Sequence, residues 1–265
     1  MHYYKFIIFF KCLSTFIITC LLIGCKVPIQ SQKAYHLSRV TTDSLFQSKQ
    51  RIHLLTIKNN SDYLIDIGYN KSTLSKTSDI AKNNNAVAAI NGSFFDIENG
   101  MSTTYLEKNN EVISKTKKIN SLINGIILLE NKEIKIDTFK NDQFYKNSKS
   151  ESFAIATGPL LLKNSILQKL PKKNFTITKH PRTCICKKKD TIIFIVVDGR
   201  NKNASGMNLF ETQKYLLSLG CIDAINLDGG GSSLMWIKNK GIVNTPSDIN
   251  GERAVSNALL LIEKN

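Results

Sequence analysis

Apolar and polar residues alternate along most of this chain in short runs that predict strands, and only one stretch carries a clear helical period. Ile52–Ile57 and Tyr63–Ile67 flank Asn59-Asn60-Ser61-Asp62 and predict a β-hairpin. Ala86–Ile90 predicts a short buried strand that runs directly into Asn91-Gly92-Ser93-Phe94-Phe95. Residues 107–121 are polar and predict a surface hairpin or loop, and Gly125–Leu129 with Glu133–Ile136 predict another hairpin around Asn131-Lys132. Lys140 to Ser152 is hydrophilic and predicts a connector. Phe153–Thr157 and Leu160–Lys163 bracket Gly158-Pro159, and after Pro171 the chain turns basic and turn-like as far as Thr178.

The last third is patterned most sharply. Thr191–Val197 is an unbroken β-branched run, as expected of a central strand covered on both faces, and it ends in Asp198-Gly199-Arg200. Asn208 stands where it can cap a helix starting at Leu209, with Glu211 at capping-box spacing. Leu209/Leu216 and Phe210/Leu217 give that helix an apolar face, and Gly220 stops it. A strand over Ile222–Leu227 follows and ends in Asp228. The unit is strand–helix–strand, so parallel strands would bring Asp198 and Asp228 to one carboxyl edge, where open α/β sheets hold ligands. Leu234–Ile237 and Gly241–Val243 predict a closing hairpin, and Ala254–Ile262 a final strand. The fold class expected is mixed α/β, with β-rich sheets and few helices.

Composition narrows the class. The 265 residues are 42% hydrophobic and 22% charged, which suits a folded globular chain. The formal net charge of +15 raises nucleic acid as a partner, but arginine is sparse and no aromatic-interleaved basic stripe occurs. The charge is therefore assigned to solvation and to attraction towards anionic glycans or a membrane. Lys187-Lys188-Lys189 has the character of a hairpin tip.

The N-terminus carries an address. Lys5 and Lys11 flank or interrupt an apolar stretch from Phe6 to Ile23, as in a secretory signal peptide. It closes on Leu22-Ile23-Gly24-Cys25, which resembles a bacterial lipobox and makes Cys25 the expected lipidated residue. An uncleaved anchor helix is the alternative, and either places the rest of the chain outside the cytoplasm. Residues 1–25 are thus expected to be a lipoprotein signal, and 26–50, rich in Ser, Gln, Thr and Lys, a tether. The expected location is a bacterial cell envelope, facing periplasm or exterior. Beyond Cys25 remain Cys184, Cys186 and Cys221, which permit at most one internal disulfide. A Cys184–Cys186 bridge within one strand would be strained, whereas either with Cys221 is possible, as are three thiols.

Four strand ends carry polar payloads: Asn91-Gly92, His180-Pro181-Arg182-Thr183, Asp198-Gly199-Arg200 and Asp228-Gly229-Gly230-Gly231-Ser232. Guanidinium forks bind phosphate bidentately, and successive glycine N–H groups can form an anion nest. A carboxylate pair is the usual equipment for cleaving a glycosidic bond. A substrate containing both a sugar and a phosphodiester would use every part. His180, before Pro181, is expected to be structural.

The same motifs are similar to those of the phosphodiester glycosidase family. The similarity runs over about residues 85–262. It is carried by Asn91–Phe95, Gly158 with Leu160, Arg182-Thr183, Asp198-Gly199-Arg200, Gly206–Glu211, Asp223–Ser232, and Pro246-Ser247-Asp248 with Arg253. Cys186 departs from the pattern, standing where the family usually has glycine. The resemblance implies one catalytic domain over 51–265 that hydrolyses a sugar-1-phosphodiester of an exported glycan without a required cofactor. In that reading Asp228 is nucleophile or general base and Asp198 its partner or a sugar ligand. Arg182, Arg200 and the Gly229–Gly231 amides hold phosphate, Asn91 and Asn226 orient the sugar, and Gly92, Thr183 and Ser232 complete the substrate-binding set. Two alternatives stand beside it. One is phosphodiester hydrolysis assisted by Ca²⁺ or Mg²⁺ on Asp198, Asp228 and Asp248; the other is a non-catalytic lipoprotein that binds anionic polysaccharide.

Overall fold

The computed structural model describes residues 34–59, 62–117, 120–148 and 150–264. The signal sequence, the lipobox and Cys25 lie outside them. Three antiparallel sheets enclose the core. The largest has seven strands, in the order 35–42, 50–58, 191–197, 182–187, 223–226, 160–163 and 166–167. A five-stranded sheet runs 111–114, 106–108, 151–157, 125–130, 133–138. A second five-stranded sheet runs 241–242, 235–237, 88–91, 257–263, 63–69.

One cluster gathers side chains from all three: Leu55, Phe194 and Ile225 from the first, Ile127 and Phe153 from the second, and Ile67, Ile90 and Leu259 from the third. A second cluster lies on the other face of the seven-stranded sheet, under the helix Leu209–Ser218. This explains the unbroken apolar run. Within Thr191–Val197, Ile192, Phe194 and Val196 point into the first cluster and Ile193, Ile195 and Val197 into the second. Coverage of both faces, rather than parallel pairing, makes the strand apolar throughout.

The helix starts as predicted. The Asn208 side chain accepts from the Glu211 amide and the Glu211 carboxylate accepts from the Asn208 amide, while Gly220 takes φ +78° just past the end. Its apolar face is narrower than the spacing suggests. Leu209 and Leu216 are buried, but Phe210 and Leu217 lie about 100° further round and are exposed.

Four expectations need correction. Residues 34–50 are not a tether: Tyr35–Thr42 is an edge strand paired from Tyr35↔Ile57 to Thr42↔Gln50, with Tyr35, Leu37 and Val40 against the core. Paired structure accordingly begins at Tyr35, upstream of residue 51. Gln50–Lys58 and Tyr63–Tyr69 do form, but they enter different sheets instead of pairing as a hairpin. The connector over 140–152 contains a helix, Asp142–Ser148, held to the core by buried Tyr145. The strand–helix–strand unit is present, but strand Arg182–Lys187 inserts antiparallel between its two strands.

Candidate active site

That insertion brings the payloads together. Pairing of Arg182 with Val197, and of Cys184 with Asn226, aligns the ends of strands 191–197 and 223–226 with the start of 182–187. Asp198 and Asp228 therefore leave the sheet at one edge. The third sheet is stitched to that edge at Asp228. Its amide donates to Gly92 O at 2.9 Å, and its carbonyl accepts from Asn91 Nδ2 at 2.7 Å.

Several residues expected to touch substrate are spent inside the protein. Asn91 is fully buried, its Oδ1 accepting from Thr183 Oγ1 at 2.7 Å and from the Leu234 amide at 3.1 Å. Asn226 is also fully buried and donates to Gly158 O at 2.9 Å. Neither can orient a sugar, and Thr183 has no free face. Gly92 is needed for room, since a Cβ there would strike the Asn257 side chain. Arg182 is the largest correction. Its side chain is fully buried, stacks on Phe175, and donates to the carbonyls of Met207 (2.9 Å), Phe175 (2.7 Å) and Thr178 (2.9 Å). Burial pushes its pKa down to about 10. It is a clamp on the neighbouring loops, not a phosphate fork.

Two of the three glycine amides are engaged within the protein as well. Gly229 N donates to the Asp228 carboxylate at 2.9 Å and Gly230 N to Pro181 O at 2.9 Å. Ser232 and Ser233 donate back to Gly229 and Gly230 in a 3₁₀ turn. The glycines instead make space. A Cβ on Gly230 would stand 3.1 Å from both terminal nitrogens of Arg200, and one on Gly231 would overlap Asp248 Oδ1 and Arg253 Nη2.

Four groups do meet at the surface of this edge. Asp228 is half-buried, and the packing around its carboxyl pushes its pKa up to about 6, against the opposing pull of the Ser232 hydroxyl, the Gly229 amide and the Arg253 charge. Arg200 is exposed, adopts φ +60°, and lays its guanidinium over Gly230. His180 Nδ1 stands 3.1 Å from Arg200 Nη2. Arg253 forks onto Asp248 at 2.7 and 2.9 Å, immediately behind Gly231.

Asp198 lies just beneath. Only 3% exposed, its carboxylate accepts from the Thr245 amide (3.0 Å) and Asn244 Nδ2 (3.2 Å) on one oxygen and bonds His53 Nε2 (3.1 Å) on the other. It binds strand 50–58 to the loop after 241–242 and is too enclosed to act as a sugar ligand. Three carboxylates gathered on a cation are not what the side chains form: Asp198 is engaged as described and Asp248 is held by Arg253. Among the described residues no cluster of three His, Cys, Asp or Glu side chains has metal-binding geometry.

Comparison with known proteins agrees with the architecture. The sequence profile of the phosphodiester glycosidase family matches residues 84–262. The chain belongs to that family. It is 43% identical over 84 residues to the SPbeta prophage-derived uncharacterized protein YomE of Bacillus subtilis, and 38% identical over 61 residues to N-acetylglucosamine-1-phosphodiester alpha-N-acetylglucosaminidase of Bos taurus. Those stretches span 31% and 23% of this chain but only 13% and 11% of the relatives' own lengths. The fold of the zebrafish N-acetylglucosamine-1-phosphodiester alpha-N-acetylglucosaminidase catalytic domain, auto-inhibited by its pro-peptide, superposes with a TM-score of 0.71 at 19% identity, over 87% of this chain and 82% of that one. A hypothetical protein from Synechocystis superposes with a TM-score of 0.61 at 14% identity, over 86% and 61%. At these identities the superpositions concern the fold alone.

His53 lies before the span matched by the phosphodiester glycosidase profile, and no motif spacing singles it out. Asn244 and Thr245 are equally silent in sequence. His180 is visible in the motif, but its contact with Arg200 depends on the left-handed turn at Arg200.

Proposed function

We propose that this chain is a glycosidase that hydrolyses the bond between a sugar carbon and a phosphate in a sugar-1-phosphodiester. The reading rests on one observation: a half-buried carboxyl with its pKa raised to about 6, Asp228, stands two residues before Gly230, over which the exposed Arg200 guanidinium lies. Arg200 would take a phosphoryl oxygen. The departing phosphomonoester is a weak base and needs little protonation, so the chemical burden falls on the sugar carbon and the incoming water. Asp228 would serve there as nucleophile or general base. The C1–O bond breaks, water supplies a hydroxyl to the sugar, and its remaining proton leaves with the phosphomonoester side.

The name of the bovine relative makes N-acetylglucosamine-1-phosphodiesters the first compounds to try. We place the chain in a bacterial cell envelope, held at the membrane by lipid on Cys25, with an exported glycan as substrate. Incubation with a panel of sugar-1-phosphodiesters, followed for free sugar and phosphomonoester, tests the reading. Release of both in equal amounts is expected from the wild type and not from Asp228→Asn. Glycan binding without hydrolysis by the wild type would instead favour a carbohydrate-binding lipoprotein.

A further inference from the structure

His180 is placed by its main chain. Its amide and carbonyl bond Met207 at 3.1 and 3.0 Å, and the next carbonyl, that of Pro181, holds Gly230 N. The half-buried imidazole is thereby fixed beside Arg200, Nδ1 against Nη2 at 3.1 Å. A guanidinium nitrogen can only donate, so Nδ1 must be the acceptor and cannot carry a proton. The ring is then the neutral tautomer with its hydrogen on Nε2, for which no protein partner occurs among the described residues. Burial and the charges of Arg182 and Arg200 act in the same direction, lowering the His180 pKa below its usual value. Those two arginines are the cations whose charge acts on the ring. Of the neighbouring carboxylates, Glu211 is paired with Lys179 at 3.0 Å and Asp248 with Arg253 at 2.7 Å, which leaves Asp228 across the glycine turn.

We propose that His180 is a specificity-determining substrate contact: its Nε2–H donates to a phosphoryl oxygen beside Arg200 as a neutral group, matching the pair to the single charge of a phosphodiester rather than the double charge of a phosphomonoester. This rests on the phosphodiester glycosidase reading of the site. The neutral donor has a consequence for turnover. Cleavage converts a monoanion into a phosphomonoester whose second pKa is about 6, so above that pH the product carries a second charge, while the other arginine at this edge, Arg253, is already forked onto Asp248. The imidazole thus favours diester entry and phosphomonoester exit, whereas a cation at this position would retain the product.

The test measures binding without turnover. In the full chain carrying Asp228→Asn, the affinities for the methyl phosphodiester of N-acetylglucosamine 1-phosphate and for methyl phosphate are determined by calorimetry from pH 5 to pH 8. They are repeated with His180→Asn and with His180→Lys added. Asn can still accept from Arg200 but presents no Nε2 donor, and Lys supplies a permanent charge; neither change removes the backbone bonds to Met207. We expect His180→Asn to weaken the diester about tenfold. We expect His180→Lys to tighten methyl phosphate about tenfold, increasingly as pH rises from 5 to 8, with little change for the diester. Unaltered affinities in both variants, parallel changes for both ligands, or no binding of either ligand would overturn the assignment. Selective diester binding by a wild-type protein that does not hydrolyse the diester would sink the glycosidase reading and leave the role of His180 intact.

Discussion

His53 and Asp198 meet at 3.1 Å, Nε2 to Oδ2, with both side chains about 4% exposed. The contact joins strand 50–58 to the turn after strand 191–197. Through Asn244 and Thr245 it also fixes the loop that leads to Asp248. Removing the imidazole leaves a buried carboxylate with two donors instead of three. His53→Ala should therefore cost roughly 2–3 kcal/mol of stability, less than a fully broken buried pair because those two donors remain. Denaturant unfolding measures the loss. His53→Gln, which can still donate, should recover part of it; equal losses for Ala and Gln would show that packing rather than the hydrogen bond is responsible.

Gly231 is in contact with the Asp248–Arg253 fork, and an added methyl would overlap both side chains. Gly231→Ala should break the fork and displace the turn bearing Asp228, costing about 1–3 kcal/mol as overpacking does, together with most of the activity. Gly251→Ala is the control. That residue has φ +81° but nothing within 4 Å of a Cβ, so only about 1 kcal/mol of backbone strain is expected, with activity largely kept. Equal effects of the two substitutions would remove the packing argument.

Features whose causes lie close in sequence were legible. The capping box of Asn208 and Glu211 and the twofold burial of Thr191–Val197 follow from neighbouring residues, and Asp198 and Asp228 emerge at one edge as the strand–helix–strand spacing implies. The partner of each polar group was not legible. Arg182 resembles a phosphate fork until Phe175, Thr178 and Met207 are folded around it. Asn91 resembles a sugar ligand until Thr183, remote in sequence, reaches it. Three consecutive glycines suggest free amides, and only the folded chain shows two of them to be occupied, by the Asp228 carboxylate and the Pro181 carbonyl. The Tyr35–Thr42 strand was hidden because an edge strand half open to water can carry the Ser and Thr of a linker.

The disulfide is Cys186–Cys221, and Cys184 is a buried thiol. The bridge ties the end of strand 182–187 to the segment after the helix, with a sequence separation of 35. Chain-entropy arithmetic for a loop of that size gives roughly 3–4 kcal/mol of stabilisation. Cys221→Ser should lower the unfolding midpoint accordingly. Burial pushes the Cys184 thiol up to about 12, so it should resist alkylation in the folded protein and react fully on unfolding. Mass spectrometry after alkylation, with and without denaturant, checks this; rapid labelling of the folded chain would contradict it.

Asp228 couples activity and stability to pH with opposite signs. Its pKa is about 6 in the folded protein and near 4 in an unfolded chain, so between those values the folded state holds more protons. Stability should therefore fall as pH rises from about 4 to about 6 and level off above, where the partly desolvated carboxylate is charged. Asp228→Asn abolishes that cost. Because the group keeps some contact with solvent, the gain in stability at pH 7–8 should be on the order of 1 kcal/mol, vanishing below pH 4. In the proposed glycosidase the same ionisation would serve catalysis. If the carboxylate attacks or accepts a proton, kcat/KM rises from the acid side with a midpoint near pH 6, and Asp228→Asn loses roughly 10³-fold of it. Parallel pH series of unfolding free energy and of kcat/KM measure both. A variant that gains stability at neutral pH while losing turnover is the expected result; one that is less stable at pH 8 than the wild type would show that Asp228 holds the fold together rather than straining it.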